Sequence, residues 1–249
     1  MRAILTYHSV DSSGSAISVS EEQFRAHVRF LASGRVSVVP LAELATHTAK
    51  EDAVALTFDD GFLSFSTVAS PLLSSTGLPA TLFVVSDHVG GNNLWKGSSA
   101  PSIPVLPLMG WDRLRAAVQQ GFEVGAHTRR HPDLTSLSPQ QLDDELSGCA
   151  DKIASELGGR PARLAYPYGA VNAAVASMAR RVFAQSFTTE LRLLGSSEDP
   201  ALLPRLDAYY FRQPGQLEAW GSPSFRRRLW VRAQGRRVRS IVAVAGLVR

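Results

Sequence analysis

The chain has a single cysteine, Cys149, no histidine after His131 and no acidic residue after Glu218. A lone cysteine excludes any intrachain disulfide and leaves a reducing compartment open to the protein. Cys149 falls inside an expected helix, where it reads as a small buried hydrophobe rather than a nucleophile. No apolar run is long enough to cross a bilayer. The N-terminus makes a poor signal peptide, because its short apolar stretch is interrupted by Tyr7, His8 and Asp11. The expected location is therefore cytoplasmic. No internal repeat is present, which excludes solenoids and propellers.

The 249 residues, 45% of them hydrophobic, suffice for one sizeable core, and an α/β barrel of this length is ordinarily one domain. The net charge of +4 hides an asymmetry. Residues 219–249 carry eight arginines and no acid, whereas residues 1–218 hold eighteen basic residues against twenty-two acidic ones. The expected organisation is a body over 1–218 and a basic tail over 219–249. Between Phe225 and Arg239 the arginines alternate with Phe225, Leu229, Trp230 and Val231. Such a stretch suits peripheral contact with an anionic membrane, possible association there being one reading and a solvated or partner-bound tail the other. Nucleic acid is not expected, because the body is acidic.

Strand and helix signals alternate. Ala3 to Val10 reads as a strand. Ser20 opens a helix with Gln23 completing a capping box and Phe24, Val28 and Leu31 forming one stripe. Val36–Val39 reads as a strand, Leu41–Thr48 as a short helix and Ala53–Phe58 as a buried strand. A helix over Phe62–Ser75 contains Pro71, which predicts a kink or a restart. Strands follow at Ala80–Val85, Phe122–Ala126, Leu164–Pro167, Ala184–Thr188 and Leu202–Leu206. Helices are expected at Trp111–Gln120, from Ser138 through Leu157, and at Val171–Phe183. Residues 88–110, rich in glycine, asparagine and proline, read as a long irregular loop, of the kind that is functional or mobile. Within it Trp95 and Lys96 suit a sugar site, or Trp95 simply anchors the loop. The alternation argues for a mostly parallel sheet, closed or nearly closed into a barrel.

Two stretches carry chemistry. The strand Ala53–Phe58 ends in Asp59-Asp60-Gly61, and α/β folds place their chemistry at the carboxyl ends of strands. Adjacent buried carboxylates repel, and a metal would offset the second charge; a solvated Asp-Asp-Gly turn is the other reading. The strand before residue 127 runs into His127-Thr128-Arg129-Arg130-His131-Pro132. Two histidines four apart on a turn can face one ion, though either can equally be structural. Together the clusters supply a carboxylate and two imidazoles, an open three-ligand set. The residues alone point to metal-assisted hydrolysis. Glycoside hydrolysis by two carboxylates is a second reading, although adjacent aspartates beside histidines suit a metal better.

Thr57-Phe58-Asp59-Asp60-Gly61, then His127-Thr128-x-x-His131-Pro132, then Tyr166-Pro167-Tyr168-Gly169 resemble, in that order, the polysaccharide deacetylase family. The resemblance covers roughly residues 3–207. It implies an α/β fold, a distorted (β/α) barrel with fewer than eight strands, and hydrolysis of an N-acetyl group from an amino sugar in a glycan, glycolipid or carrier-linked saccharide. It implies Asp59 as general base. Asp60, His127 and His131 become ligands of one divalent metal, commonly zinc, and the Tyr168 N–H faces the oxyanion, a donor worth about 3 kcal/mol in the transition state. Trp95, Tyr168 and Arg205 are the expected substrate contacts.

There are two departures. The family's base-orienting arginine corresponds here to Ala165, and its late general-acid histidine is missing. Arg205 is a candidate to replace that arginine, or else a surface residue beside a strand. A permuted branch that includes poly-N-acetylglucosamine deacetylases places the acid on the first strand, and Tyr7-His8-Ser9-Val10 resembles that segment. His8 is thus the expected general acid, imidazole being the side chain that carries a proton near neutral pH. The departures keep open a catalytically impaired carbohydrate-binding or scaffold protein on the same fold. With no export signal, a lipid- or nucleotide-linked N-acetylated sugar is the expected substrate.

Overall fold

The structure, a computed structural model, describes residues 1–44, 52–95 and 102–244, with side chains to residue 235. The expectations for residues 45–48 of the short helix, for Lys96 and for the side chains at the end of the tail lie outside those residues. The strands are β1 (Arg2–Tyr7), β2 (Ser9–Val10), β3 (Ser18–Val19), β4 (Ser37–Val38), β5 (Ala53–Phe58), β6 (Thr81–Val84), β7 (Glu123–Ala126), β8 (Arg163–Ala165), β9 (Gln185–Phe187) and β10 (Leu206–Asp207). The helices are α1 (Glu21–Leu31), α2 (Leu41–Leu44), α3 (Ser70–Thr76), α4 (Trp111–Gln119), α5 (Pro139–Leu157), α6 (Ala173–Val182) and α7 (Pro223–Val244).

Seven strands lie in the order β10-β1-β5-β6-β7-β8-β9, with β4 added to β5 off this path, and every pair is parallel. Residues 203–207 close the curl. Leu203 bridges Phe187 of β9, and Leu206 and Asp207, directly after Arg205, pair with Leu5 and Thr6 of β1. A parallel arrangement brings all strand C-termini to one rim, where the chemistry of such folds gathers.

Alternation along the strands separates two cores. Leu5, Tyr7, Leu56, Phe58, Leu82 and Val84 face the helices. Ile4, Ala53, Ala55, Phe83, Ala165, Phe187 and Leu203 fill the barrel interior. The interior is crowded: a Cβ on Gly125 would stand 2.6 Å from Phe83 Cε1.

Local signals account for most helix boundaries. Both capping boxes form: Gln23 N–H donates to Ser20 Oγ at 3.2 Å, and Gln141 N–H to Ser138 Oγ at 3.4 Å. Each such cap stabilises its helix by about 1 kcal/mol. The expected helix over Phe62–Ser75 forms, with a wide π-turn, Phe65–Ala69, running without a break into α3, whose first turn holds Pro71. The first strand is shorter than expected. It ends at Tyr7, because Ser9 and Val10 leave the sheet to pair with Ser18 and Val19. His8 occupies the break.

The expected tail does not begin as a tail. Trp220, Phe225 and Leu229 belong to the main core, and Phe225 stacks on Phe211 with centroids 5.5 Å apart. The apolar residues expected to meet a membrane are therefore divided: Phe225 and Leu229 face inward, and Trp230 and Val231 are exposed. Among the described residues no helix is long and apolar enough to cross a membrane.

Candidate active site

The ends of β1, β5, β7 and β8, with the segment after β9, build one cavity of about 250 Å³, lined by His8, Asp59, Asp60, Trp95, His127, His131, Tyr168 and Thr189 among others. His8 follows β1, the aspartates follow β5, His127 follows β7 and Tyr168 lies beyond β8.

Successive strand side chains point apart, so two adjacent acids share a cavity only if the backbone turns. It does: Asp60 has φ 70° and Gly61 φ 76°. Thr128, at φ 68°, and His131, at φ 59°, likewise turn the segment after β7, so a tight turn rather than helical spacing unites the imidazoles. Thr128 Oγ1 accepts the His131 N–H at 3.0 Å. Tyr168, at φ 59°, completes the set. These are the non-glycine residues with positive φ among those described; Asp60, His131 and Tyr168 line the cavity, and Thr128 directly follows His127, which does. Such backbone costs about 1–3 kcal/mol per residue and persists where the surroundings over-determine it.

Asp60, His127 and His131 each offer a ligand atom, all within 4.8 Å of one another and all buried. His127 Nδ1 donates to the Ala165 carbonyl at 2.7 Å, which leaves Nε2 as a lone pair. That lone pair faces Asp60 Oδ1 at 3.3 Å, and His131 Nε2 stands 3.6 Å from the same oxygen. Asp60 Oδ1 is buried with no hydrogen-bond partner. Lone pairs converging on a buried, unsatisfied carboxylate oxygen fit a divalent cation. The charge pattern agrees. Burial pushes His131 down to about 3, with His127 adding to the effect. Burial also opposes a charge on His127, but Asp60 and then Asp59 overcome it and raise that group. Burial alone would raise Asp60, yet the histidines hold it below the usual carboxylate range.

Asp59 is held from behind. Arg205 Nη1 and Nη2 donate to its two oxygens at 2.7 and 2.8 Å, and Arg205 Nε donates to the Thr188 carbonyl at 3.0 Å. Both partners are buried. Burial favours the neutral acid, but Arg205, then His127 and His8, hold the Asp59 carboxyl at about 2. The guanidinium lies 5.7 Å over the Phe83 ring, in the interior layer that also holds Ala165. Arg205 is thus placed behind Asp59 rather than in the cavity, which corrects the expectation that it touches substrate. His8 Nε2 stands 3.8 Å from Asp59 Oδ2 on the cavity side.

Trp95 both anchors its loop and walls the cavity. It packs with Phe62, Val85 and Leu108, and its ring lies 4.4 Å from that of His131. The arms of the loop are joined by hydrogen bonds, including Gly90 N–H to Met109 O at 2.8 Å and Leu108 N–H to Gly91 O at 2.9 Å.

One supporting residue escaped the sequence reading. Glu145 Oε2 accepts the backbone N–H groups of Arg129 and Arg130 at 2.9 and 3.0 Å, and its Oε1 accepts Arg130 Nε at 2.7 Å. A buried carboxylate on α5 therefore clamps the turn that carries both histidines. A signal existed: Glu145 lies on the same helix stripe as Leu142, Leu146 and Cys149, an acid where an apolar residue belongs.

A family model described as polysaccharide deacetylase matches residues 46–185, more than half of the chain. The chain belongs to the polysaccharide deacetylase family. It is 31% identical over 139 residues to a chitin deacetylase of Pestalotiopsis sp, covering 56% of this chain and 42% of that one. It is 32% identical over 124 residues to the peptidoglycan-N-acetylglucosamine deacetylase PgdA of Listeria monocytogenes, covering 49% and 23%. The chain thus spans less than half the length of either relative. Among solved structures, IcaB from Ammonifex degensii aligns with a TM-score of 0.71 at 23% identity, over 88% of this chain and 96% of that one. The Streptococcus pyogenes deacetylase PplD, solved with acetate, aligns at 0.70 and 23% identity, over 82% and 91%. Both share the fold.

Proposed function

We propose that the protein is a metal-dependent hydrolase that removes the N-acetyl group from an amino sugar. The observation that carries this reading is the buried Asp60 Oδ1, unpartnered and faced by the Nε2 atoms of His127 and His131, one residue from a carboxylate gripped by Arg205.

Asp60, His127 and His131 would hold one divalent ion, zinc being the expected one. Such an ion polarises a carbonyl and acidifies water, which is the help that a base as weak as Asp59 needs. Asp59 stays ionised across the working pH range and accepts the proton of the attacking water through the oxygen that faces the cavity. Arg205 fixes the orientation of that carboxylate with two parallel hydrogen bonds. The Tyr168 N–H is assigned to the developing oxyanion; its left-handed backbone at the cavity wall supports this role. His8 delivers a proton to the departing amine, without which an amide anion would have to leave. Because His8 Nε2 lies 3.8 Å from Asp59 Oδ2, one water or a small shift can pass the proton on Asp59 back to His8 and reset both groups.

The reading as an impaired carbohydrate-binding protein rested on Ala165 and the missing late histidine. Arg205 on Asp59 and His8 beside it weigh against that reading. Metal content and acetate release from N-acetylated sugars test the assignment. The wild type should bind one ion and release acetate, and His131→Ala should lose the ion. Asp59→Asn should keep the ion and lose turnover. Equal metal stoichiometry in wild type and His131→Ala, or turnover of Asp59→Asn within a few-fold of wild type, would overturn it.

A further inference from the structure

The backbone donor assigned to the oxyanion sits in a turn that needs outside support. Tyr168, at φ 59°, is followed by Gly169 at φ 71°, two left-handed residues in a row. Hydrogen bonds within the turn are local: Gly169 N–H donates to the Tyr166 carbonyl at 2.9 Å, and Ala170 N–H to the Pro167 carbonyl at 3.0 Å. From outside the turn, Thr189 Oγ1 donates to the Tyr168 carbonyl at 3.2 Å. The two segments lie flush, since a Cβ on Gly169 would stand 2.6 Å from the Thr189 backbone nitrogen. Thr189 follows β9, and the residues on either side of it brace Arg205. The Thr188 carbonyl accepts Arg205 Nε at 3.0 Å, and the Glu190 carbonyl accepts the Arg205 N–H at 3.0 Å. Thr188 N–H in turn donates to the Leu203 carbonyl at 2.8 Å. One short segment therefore seats both the arginine behind Asp59 and the turn that carries the Tyr168 N–H.

We propose that Thr189 is a positioning residue: its hydroxyl pins the Tyr168 turn to the segment that seats Arg205, so that the oxyanion donor and the base keep a fixed spacing. The inference rests on the deacetylase reading for what meets the Tyr168 N–H. Pro167 has its φ fixed by the ring, and the hydroxyl holds the carbonyl on the far side of Tyr168, so the N–H between them is restrained from both ends. A preorganised donor acts where charge develops, and its worth falls steeply when it is misplaced. A loosened turn should therefore cost turnover rather than ground-state binding. The competing role is direct contact with substrate, since Thr189 also lines the cavity. A hydroxyl has one hydrogen to donate, however, and here the Tyr168 carbonyl takes it.

The test compares Thr189→Val, which removes the hydroxyl at nearly constant volume, with Thr189→Ser, which keeps it. On a β-1,4-linked N-acetylglucosamine trimer, kcat of the metal-loaded Thr189→Val protein should fall about tenfold, with KM within about twofold of wild type. Thr189→Ser should return kcat to within about twofold of wild type. The melting temperature should stay in place in both variants, because the side chain is only half-buried. A second measurement needs no turnover. In chelator-treated protein the Gly169 and Ala170 amides, whose hydrogen bonds exist only while the turn is closed, should exchange with solvent about tenfold faster in Thr189→Val and at the wild-type rate in Thr189→Ser. The Tyr166 amide, bonded to the Phe187 carbonyl at 3.0 Å, should not change in either. Unchanged exchange at Gly169 and Ala170 in Thr189→Val, a rise in KM at constant kcat, or a serine variant as slow as the valine one would overturn the proposal. A wild type that releases no acetate, with exchange responding as expected, would sink the deacetylase reading and leave the hold of Thr189 on the turn standing.

Discussion

Replacing Arg205 by methionine removes a guanidinium that is almost wholly enclosed and leaves the Asp59 carboxylate without its counter-charge. Breaking one side of a buried pair costs about 3–5 kcal/mol, because an uncompensated charge stays in the interior. For a chain of this size each kcal/mol moves the melting temperature by about 2–4 °C, so Arg205→Met should melt about 6–20 °C lower. The double variant Asp59→Asn/Arg205→Met removes both charges. It should recover most of the loss and fall short of wild type by about 1 kcal/mol for the hydrogen bond from Arg205 Nε to Thr188. The measurements are made with chelator present, so that metal affinity does not enter the comparison. The pH dependence has a definite sign. Asp59 lies near 2 in the folded state, below the ordinary 3.8, so the stabilisation it contributes is complete above about pH 4 and is lost as pH falls towards 2. His8 and His127 face the same carboxylate, but the gap between wild type and Arg205→Met should still narrow as the solution is acidified below pH 4. A single variant within 1 kcal/mol of wild type, or a double variant no more stable than the single, would refute the description of the pair as a coupled buried unit.

Glu145→Ala should weaken metal binding by about 10–100-fold, the usual cost of losing support behind a ligand, whereas Glu145→Gln should lose less because it still accepts hydrogen bonds; competition titration with a chelating dye reads both. His8→Ala should lose far more on an N-acetyl sugar than on an activated acetate ester, whose leaving group needs no proton, and equal losses would remove His8 as the acid. Gly169→Ala would drive a Cβ into Thr189 Oγ1 and the Thr189 backbone nitrogen from a backbone at φ 71°; the Tyr168 turn should then shift, with turnover falling more than metal content. Retention of full activity in that variant would show that the turn does not hold the oxyanion donor.

Features decided within a few residues were legible in the sequence. The strand Ala53–Phe58 has the expected bounds, and both serine-led helices open on their capping boxes, because the partners of those hydrogen bonds lie three residues away. Asp60, His127 and His131 were legible as a cluster because each follows a strand, and parallel strands end on one rim. Long-range pairing was not legible. The split of the first strand at His8 depends on Ser9 and Val10 finding Ser18 and Val19. The grip of Arg205 on Asp59 spans 146 residues, and the alanine at 165, where an arginine was expected, made Arg205 a candidate for it without excluding a surface position. The core packing of Phe225 and Leu229 was hidden because the surrounding arginines dominate the composition of that stretch.

The left-handed backbone at Asp60, Thr128, His131 and Tyr168 has a consequence for anyone who sets out to make this protein more heat-resistant. At about 1–3 kcal/mol each, these four positions together hold strain comparable to the net stability of an ordinary domain, about 5–15 kcal/mol. Glycine adopts the same backbone without that penalty. The substitutions that would relax the fold most therefore sit where the cavity can least spare a side chain, and a selection for thermal tolerance alone would be drawn towards dismantling the site. Durability and chemistry compete here for the same four residues, so robust variants should be sought on the outer helices instead.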